Sequence, residues 1–360
     1  MKVAFRADAS LVIGTGHVMR CLSLAGALRL RGVQSIFLCR DHIGNLHQVI
    51  QDQGYPLLRL GGVRTLPQPD TSYTQWLGVD SHCDANDTRD HLDGHSVDCL
   101  IVDHYGLDVT WEQSLQSTCG RIIAIDDLAN REHAVETLLD QNLGKATSDY
   151  SALVPPSCNL LLGPSYALLR PEFAALRVKS LARRGHGHLR KILITMGGVD
   201  LQNATGEVLD ALHAWGPSVN LSVTVVMGHC APWRDRVIEQ TRHLPFNTEV
   251  LVNVQGMSNL MCNADLVIGA AGSTAWERCC LGLPTIQLVL AENQRPIAKA
   301  LNQVGAALVI ERTDLAANLI SKMEQLMQDP EQLVSMSNAA SMLVDGLGSD
   351  RVALYLQEGG

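Results

Sequence analysis

At 360 residues with 46% apolar content, the chain is too long for one ordinary core and too apolar for general disorder, so two domains are expected. Aromatic residues make up 4% and the formal net charge is −9, which argues against stacking platforms for single strands and against a basic nucleic-acid surface. Ten cysteines occur without any Cys-x-x-Cys spacing. Neither a zinc ribbon nor thioredoxin chemistry is indicated, and reduced thiols in a cytoplasmic protein are expected.

Val3 to Phe5 suits a buried first strand, and Val18, Cys21, Leu22, Ala25 and Leu28 recur at helical spacing up to Gly32, a C-cap glycine. Between them lies Ile13-Gly14-Thr15-Gly16-His17. Gly14 and Gly16 let a ligand approach the backbone, and the free N–H groups of a helix start favour an anion. Met19 fills the place of the third glycine of a dinucleotide fingerprint, and there is no Gly-Lys-Ser/Thr. A plain strand-to-helix turn with a capping histidine fits this loop equally well. Val33 to Cys39 reads as a second strand, Ile43 to Gln53 as a helix closed by Gly54, and Gly61 to Asp80 as a loop-rich excursion.

Cys99 to Val102, Arg121 to Ile125, Leu138-Leu139 and Asn159 to Leu162 read as further strands. Polar groups follow them: Asp103-His104-Tyr105-Gly106, Asp126-Asp127, Asp140-Gln141-Asn142 and Gly163-Pro164. In open parallel sheets the ligand crevice lies outside the carboxyl ends of the strands, so His17, Asp103, Tyr105 and Asp126-Asp127 are expected on one rim. Arg177 to Lys191 is basic and glycine-punctuated, and reads as an interdomain linker.

A second series of strands follows: Ile192 to Met196, Leu221 to Met227, Glu249 to Val252, Leu266 to Ile268, Thr285 to Leu290 and Ala307 to Ile310. Gly197-Gly198-Val199-Asp200 and a helix from about Asn203 follow the first of these, and Glu331 to Leu343 and Ser349 to Leu356 read as closing helices. The expected fold class is therefore α/β, two Rossmann-like domains facing a cleft. Residues 1–178 would form the first, 179–190 the linker and 191–345 the second.

Three stretches could carry chemistry. Gly269 to Glu277 runs through Gly272, Ser273 and Thr274 into a helix start, where exposed amides and hydroxyls suit a phosphate. Glu277 would repel a phosphate but can accept from sugar hydroxyls such as a ribose pair; an ordinary capping box is the alternative. Asp103 to Gly106 holds groups able to exchange or orient protons, or else is a polar turn. In Glu292-Asn293-Gln294, Asn293 is either an N-cap or a ligand-facing amide. Asp126-Asp127 suits capping better than a metal, since adjacent carboxylates rarely point the same way.

Eight ordered segments together resemble the UDP-2,4-diacetamido-2,4,6-trideoxy-β-L-altropyranose hydrolases of CMP-pseudaminic acid synthesis. They are Ile13 to Arg20, Val102 to Asp108, Ile125 to Leu128, Leu139 to Asn142, Leu162 to Phe173, Met196 to Asp200, Gly269 to Glu277 and Glu292 to Gln294. The resemblance implies a GT-B-like fold, with residues 346–360 forming a helix that crosses back to the first domain. It implies His17 as catalytic base, with Tyr105 and Asn293 supporting it, and UDP held by the region of Gly272, Ser273, Thr274 and Glu277. With the residue reading, Asp103 joins the catalytic set, and Gly14, Gly16, Arg170, Gly198 and Asp200 join the substrate contacts. The expected activity is hydrolysis at the anomeric carbon with inversion, by a monomer using no metal or cofactor. The partner is a small UDP-sugar, with no nucleic acid or membrane. His133-Ala-Val-Glu136 departs from the family's His-Asp-Cys-Asp, and Gly61 to Asn86 matches loosely. Ala264 to Thr274 also resembles the UDP-N-acetylglucosamine transferase of lipid-linked peptidoglycan synthesis. A glycosyltransferase using an acceptor hydroxyl is thus the alternative, and a nucleotide-sugar binding protein without turnover a third reading.

Overall fold

Residues 1–63, 72–216, 220–229 and 231–359 are described in the computed structural model. Residues 64–71 of the expected loop-rich excursion lie outside them. The chain divides into two units, Met1–Arg170 with Leu347–Gly360, and Pro171–Gly346.

The first unit begins β1 (Lys2–Ala7), α1 (Gly16–Leu30), β2 (Gln34–Asp41), α2 (His47–Asp52), β3 (Leu57–Gly62) and α3 (Ser81–Leu92). It continues β4 (Cys99–Asp103), α4 (Val109–Leu115), β5 (Ile122–Ile125), β6 (Thr137–Asp140), α5 (Thr147–Tyr150) and β7 (Asn159–Leu162). The strands are all parallel, in the order β3-β2-β1-β4-β5-β6-β7. Both faces are covered, which is why these strands read as continuous apolar runs. Val3, Phe5 and Ala7 meet Val18, Cys21, Ala25 and Leu28 of α1 on one side, while Ala4 faces Leu92 of α3 and Trp111 of α4 on the other. α1 closes at Gly32, whose φ of 76° is the left-handed conformation a C-cap glycine supplies.

Strand alternation puts Arg6 on the same side as Ala4, and there it is fully buried. Its Nε and NH2 donate to Asp84 of α3 at 3.1 and 2.7 Å. Arg40 of β2 donates to the same carboxylate at 3.1 and 2.7 Å, and Trp111 Nε1 adds a third donor at 3.0 Å. Two guanidinium groups under one helix thus share one carboxylate.

The second unit begins α6 (Pro171–Ala182), β8 (Lys191–Thr195), α7 (Ala204–Trp215), β9 (Ser222–Met227), α8 (Arg234–Thr241), β10 (Asn247–Val252) and α9 (Met257–Asn263). It continues β11 (Leu266–Ala270), α10 (Thr274–Cys280), β12 (Thr285–Val289), α11 (Arg295–Gln303), β13 (Leu308–Glu311), α12 (Leu315–Gln328) and α13 (Pro330–Ser341). Its sheet is parallel in the order β10-β9-β8-β11-β12-β13. Ile192, Val223, Leu266 and Ile286 pack on Val208 and Leu212 of α7 and on Leu319 and Met323 of α12.

The stretch 179–190, expected as a linker, begins inside α6 and lies within the second unit. Its arginines serve helix ends. Arg184, 7% exposed, donates to Met261 O and Ala264 O at the end of α9 and to Leu281 O at the end of α10. Arg183 donates to Cys262 O and Ala264 O, and pairs with Asp265. Helix C-terminal carbonyls carry partial negative charge, so a basic run belongs there as well as in a solvated linker.

α14 (Gly348–Glu358) belongs to the first unit. Val352, Ala353 and Leu356 enter the core beneath α1. The Tyr355 and Thr137 hydroxyls are 2.9 Å apart, and Gln357 Nε2 donates to Arg31 O at 3.1 Å.

In each sheet the strand order reverses once, between β1 and β4 and between β8 and β11. Connections there leave toward opposite faces, which opens a crevice at the strand ends. His17, Asp103 and Tyr105 sit at the first of these places, and Gly198, Asp200 and Gly269 to Glu277 at the second.

Candidate functional site

At the β1/β4 reversal, His17 occupies the first turn of α1 and Asp103 ends β4. His17 Nδ1 lies 2.5 Å from Asp103 Oδ1. Arg20, one turn along α1 from His17, covers the same carboxylate, Nε donating to Oδ2 at 2.6 Å and NH2 to Oδ1 at 2.7 Å. Burial pushes the Asp103 carboxyl up, but Arg20 and His17 outweigh it and hold the group well below the usual carboxylate range. An ionised carboxylate only accepts hydrogen bonds, so the proton shared with it belongs to Nδ1. With the ring neutral, this tautomer presents a lone pair at Nε2, the form a general base needs.

Tyr105 stands edge-on to His17, ring centroids 4.6 Å apart at 85°. Its hydroxyl donates to Asp127 Oδ2 at 2.8 Å, and Arg20 NH1 donates to the same oxygen at 2.7 Å. Burial pushes the Tyr105 hydroxyl well above its ordinary range, and Asp127 adds to that; it stays a donor. Tyr73 and Trp76 pack against Tyr105 at 5.1 and 5.8 Å, and with Ile13 they form an apolar wall.

The expected convergence of His17, Asp103, Tyr105 and Asp127 is therefore present, and two neighbours drop out. Asp126 turns away to accept from Arg131 NH1 at 2.6 Å and Ala129 N at 2.8 Å, a loop-closing task. His104 is buried with Nδ1 accepting from Gly106 N at 3.0 Å, and burial pushes it down to about 3 despite Asp8 nearby. Gly14 has φ 81°, and its N–H donates to Ser10 O at 2.9 Å, so this amide closes the loop. Gly16 opens α1, and half-buried Arg170 ends the first segment of the unit.

Behind Asp127, Asp140 accepts from Asn142 N and Tyr150 Oη, each at 2.8 Å. Burial pushes its carboxyl up to about 7, and the charge of Asp127 adds to the effect. The folded state thus holds a proton that the unfolded chain releases near pH 4. The stability this confers is complete below about pH 4 and is lost as pH rises through about 7. Asp140→Asn, uncharged throughout, is expected to exceed wild type in urea midpoint at about pH 8, with the gap closing toward about pH 5. A gap independent of pH would contradict this.

At the β8/β11 reversal of the second unit, the turns carry Gly198, Asp200 and Gly269 to Glu277. Both oxygens of Asp200 accept from the start of α7, Ala204 N at 2.8 Å and Thr205 N at 2.9 Å. A Cβ on Gly228 would come 1.8 Å from Gly198 O, and one on Gly269 would come 2.7 Å from Thr195 O. Both turns are thus built on close backbone approach. Ser273 is exposed and stands at the N-cap position of α10, yet its side chain makes no capping bond. Its hydroxyl is not engaged as the capping alternative requires. Gly272, Thr274 and Glu277 are half-buried, as is Asn293 on a 3-10 turn, Glu292–Gln294, after β12. Arg278, 1% exposed, donates through NH2 to Ala270 O at 2.9 Å, while its Nε and NH1 have no partner among the described residues. Burial pushes this guanidinium down to about 10; still a cation at neutral pH, it makes the turn electropositive.

Sequence reading missed Arg20 and Arg278 as contributors. The three-residue spacing from His17 to Arg20 was a visible signal, because it places both on one helix face. Arg278 gave none, since burial of a helical arginine is a tertiary outcome. Among the described residues no group of three or more potential ligands is placed to hold a metal ion, and no helix is long and apolar enough to cross a membrane.

Residues 193–348 match the glycosyltransferase family 28 C-terminal domain. The UDP-2,4-diacetamido-2,4,6-trideoxy-β-L-altropyranose hydrolase of Campylobacter jejuni is 26% identical over 306 residues, 85% of this chain and 97% of that protein. An uncharacterized protein of Methanocaldococcus jannaschii is 25% identical over 300 residues, 82% of this chain but 57% of that longer protein. Acinetobacter baumannii MurG superposes with a TM-score of 0.69 at 16% identity, over 99% of both chains. The fold is of the GT-B type, two parallel-sheet Rossmann-like domains.

Proposed function

We propose that the chain acts on nucleotide sugars and hydrolyses UDP-2,4-diacetamido-2,4,6-trideoxy-β-L-altropyranose in the cytoplasm, water attacking the anomeric carbon with inversion. The observation that carries the reading is the 2.5 Å pairing of His17 Nδ1 with an ionised Asp103, which leaves Nε2 as acceptor. In this scheme Nε2 takes a proton from the attacking water, and Tyr105 and Asn293 support the reacting centre. UDP is already a good leaving group, so no dedicated acid, metal or cofactor is required. Charge building on the phosphate is met by fixed donors, here the amides and hydroxyls of Gly272, Ser273 and Thr274 with Arg278 beneath. Glu277 accepts from the ribose hydroxyls. The hydrolase of Campylobacter jejuni, similar across nearly its whole length, lends the specific substrate.

A glycosyltransferase of the same fold is the second reading, favoured by the match over residues 193–348 and by the likeness to MurG. Incubation with the UDP-sugar and no acceptor separates them. The hydrolase is expected to release UDP with stoichiometric free sugar, whereas a transferase releases it only once an acceptor is added. In ¹⁸O-water the label is expected in the sugar; label in UDP would mean attack at phosphorus and would refute the scheme.

A further inference from the structure

We infer that Arg20 is a positioning residue that keeps the His17 imidazole neutral by countering the charge of Asp103. The inference rests on His17 being the base of the proposed reaction. A buried carboxylate 2.5 Å from an imidazole nitrogen favours the imidazolium, and an imidazolium cannot take a proton from water. Arg20 opposes this in two ways. It donates to both oxygens of Asp103, and its NH2 stands 3.4 Å from His17 Nδ1, so a fixed cation borders the ring.

Charges this close inside a protein change a protonation equilibrium by tenfold or more on the order-of-magnitude scale. Asp127 takes the remaining arm of the guanidinium, NH1, at 2.7 Å, which fixes the fork in the plane that serves both carboxylates. Among the described residues, the groups facing the ring are Asp103 from β4, Tyr105 from the loop after it and Arg20 from α1 itself. His104 also lies within electrostatic reach and is neutral, through burial. Arg20 is the cation that balances Asp103.

Carbethoxylation by diethyl pyrocarbonate reports neutral imidazole and needs no substrate. Peptide mass spectrometry follows His17 against exposed His243 in the same digest. On the acid side, at about pH 5, Arg20→Gln is expected to react at His17 about tenfold more slowly than wild type. Arg20→Lys, which retains the charge, is expected to stay within about threefold. Because Arg20→Gln strands a buried carboxylate, a second pair stands beside the first: Asp103→Ala against Asp103→Ala/Arg20→Gln. Of these, the variant keeping Arg20 is expected to react faster, and this pair decides if Arg20→Gln does not fold. Equal His17 reactivity within the folded pairs overturns the inference, as does Arg20→Lys reacting as slowly as Arg20→Gln.

Turnover is read separately. If wild type leaves the UDP-sugar intact while the reactivity pattern appears, the hydrolase reading falls and the electrostatic role of Arg20 stands. Where turnover occurs, the acid limb of kcat/KM against pH is expected to move up by about one pH unit in Arg20→Gln.

Discussion

His17→Ala is expected to lower kcat by about 10² to 10⁴ while leaving the affinity for UDP within about twofold. The imidazole is 7% exposed and its Nδ1 is tied to Asp103, so the proposed proton transfer runs through Nε2 alone. Removing the ring takes away that acceptor without touching the β11–α10 turn assigned to the nucleotide. Asp103→Asn is a companion test of the same link. An amide can turn its N–H toward Nδ1, which places the ring proton on Nε2 and abolishes the base while the ring stays in place. Steady-state UDP release gives kcat, and calorimetric titration with UDP gives the affinity. Near-normal turnover in a folded His17→Ala protein would remove His17 from the mechanism.

The largest stability effect is expected at Asp84→Ala, about 3–5 kcal/mol. This side chain is fully buried and accepts from Arg6, Arg40 and Trp111. Truncation leaves two guanidinium groups facing each other without the shared carboxylate, and their remaining contacts, Asp8 for Arg6 and Asp87 and Leu60 O for Arg40, do not replace it. A large aliphatic side chain lost from the same core would cost a comparable amount from the cavity alone, so the pH dependence distinguishes the electrostatic origin. Burial pushes the Asp84 carboxyl up, but Arg6 and Arg40 outweigh it and the group titrates below its ordinary range. Its contribution is therefore present above about pH 4 and is lost as pH falls below that. Urea unfolding should show a wide gap between wild type and Asp84→Ala at neutral pH that narrows at about pH 3. A gap of the same size at both would mean that lost packing, not lost charge, dominates.

Much of the architecture was legible from runs of apolar residues. Both sheets are buried on two sides, so their strands stand out as uninterrupted stretches, and polar residues just past them mark the strand ends. That rule sufficed to bring His17, Asp103, Tyr105 and Asp127 together from three separate segments. It could not tell Asp126 from Asp127, because only the direction each takes after β5 separates loop closure from contact with Tyr105 and Arg20. β3 escaped notice because Arg59 and the pair Gly61-Gly62 interrupt its apolar run, as suits a strand at the sheet edge. The Arg6–Asp84–Arg40 cluster was invisible for a different reason. Its members are distant in the chain, and a charged residue in an otherwise apolar strand acquires meaning only when its partner arrives from α3. The arginines after α6 carry the composition of a linker, and only the helix ends they reach identify their task.

The first unit closes with α14, drawn from residues 348–358, whereas the second is one uninterrupted segment, 171–346. During synthesis the apolar underside of α1 stays uncovered until residues 348–358 have followed the whole of 171–346 out of the ribosome. The usual order, in which the amino-terminal domain is finished first, is thus reversed for these two units, and the one bearing His17 is completed second. A stop codon just after Gly346 would strip a helix from the half bearing His17, although the lesion follows the last residue of the other unit.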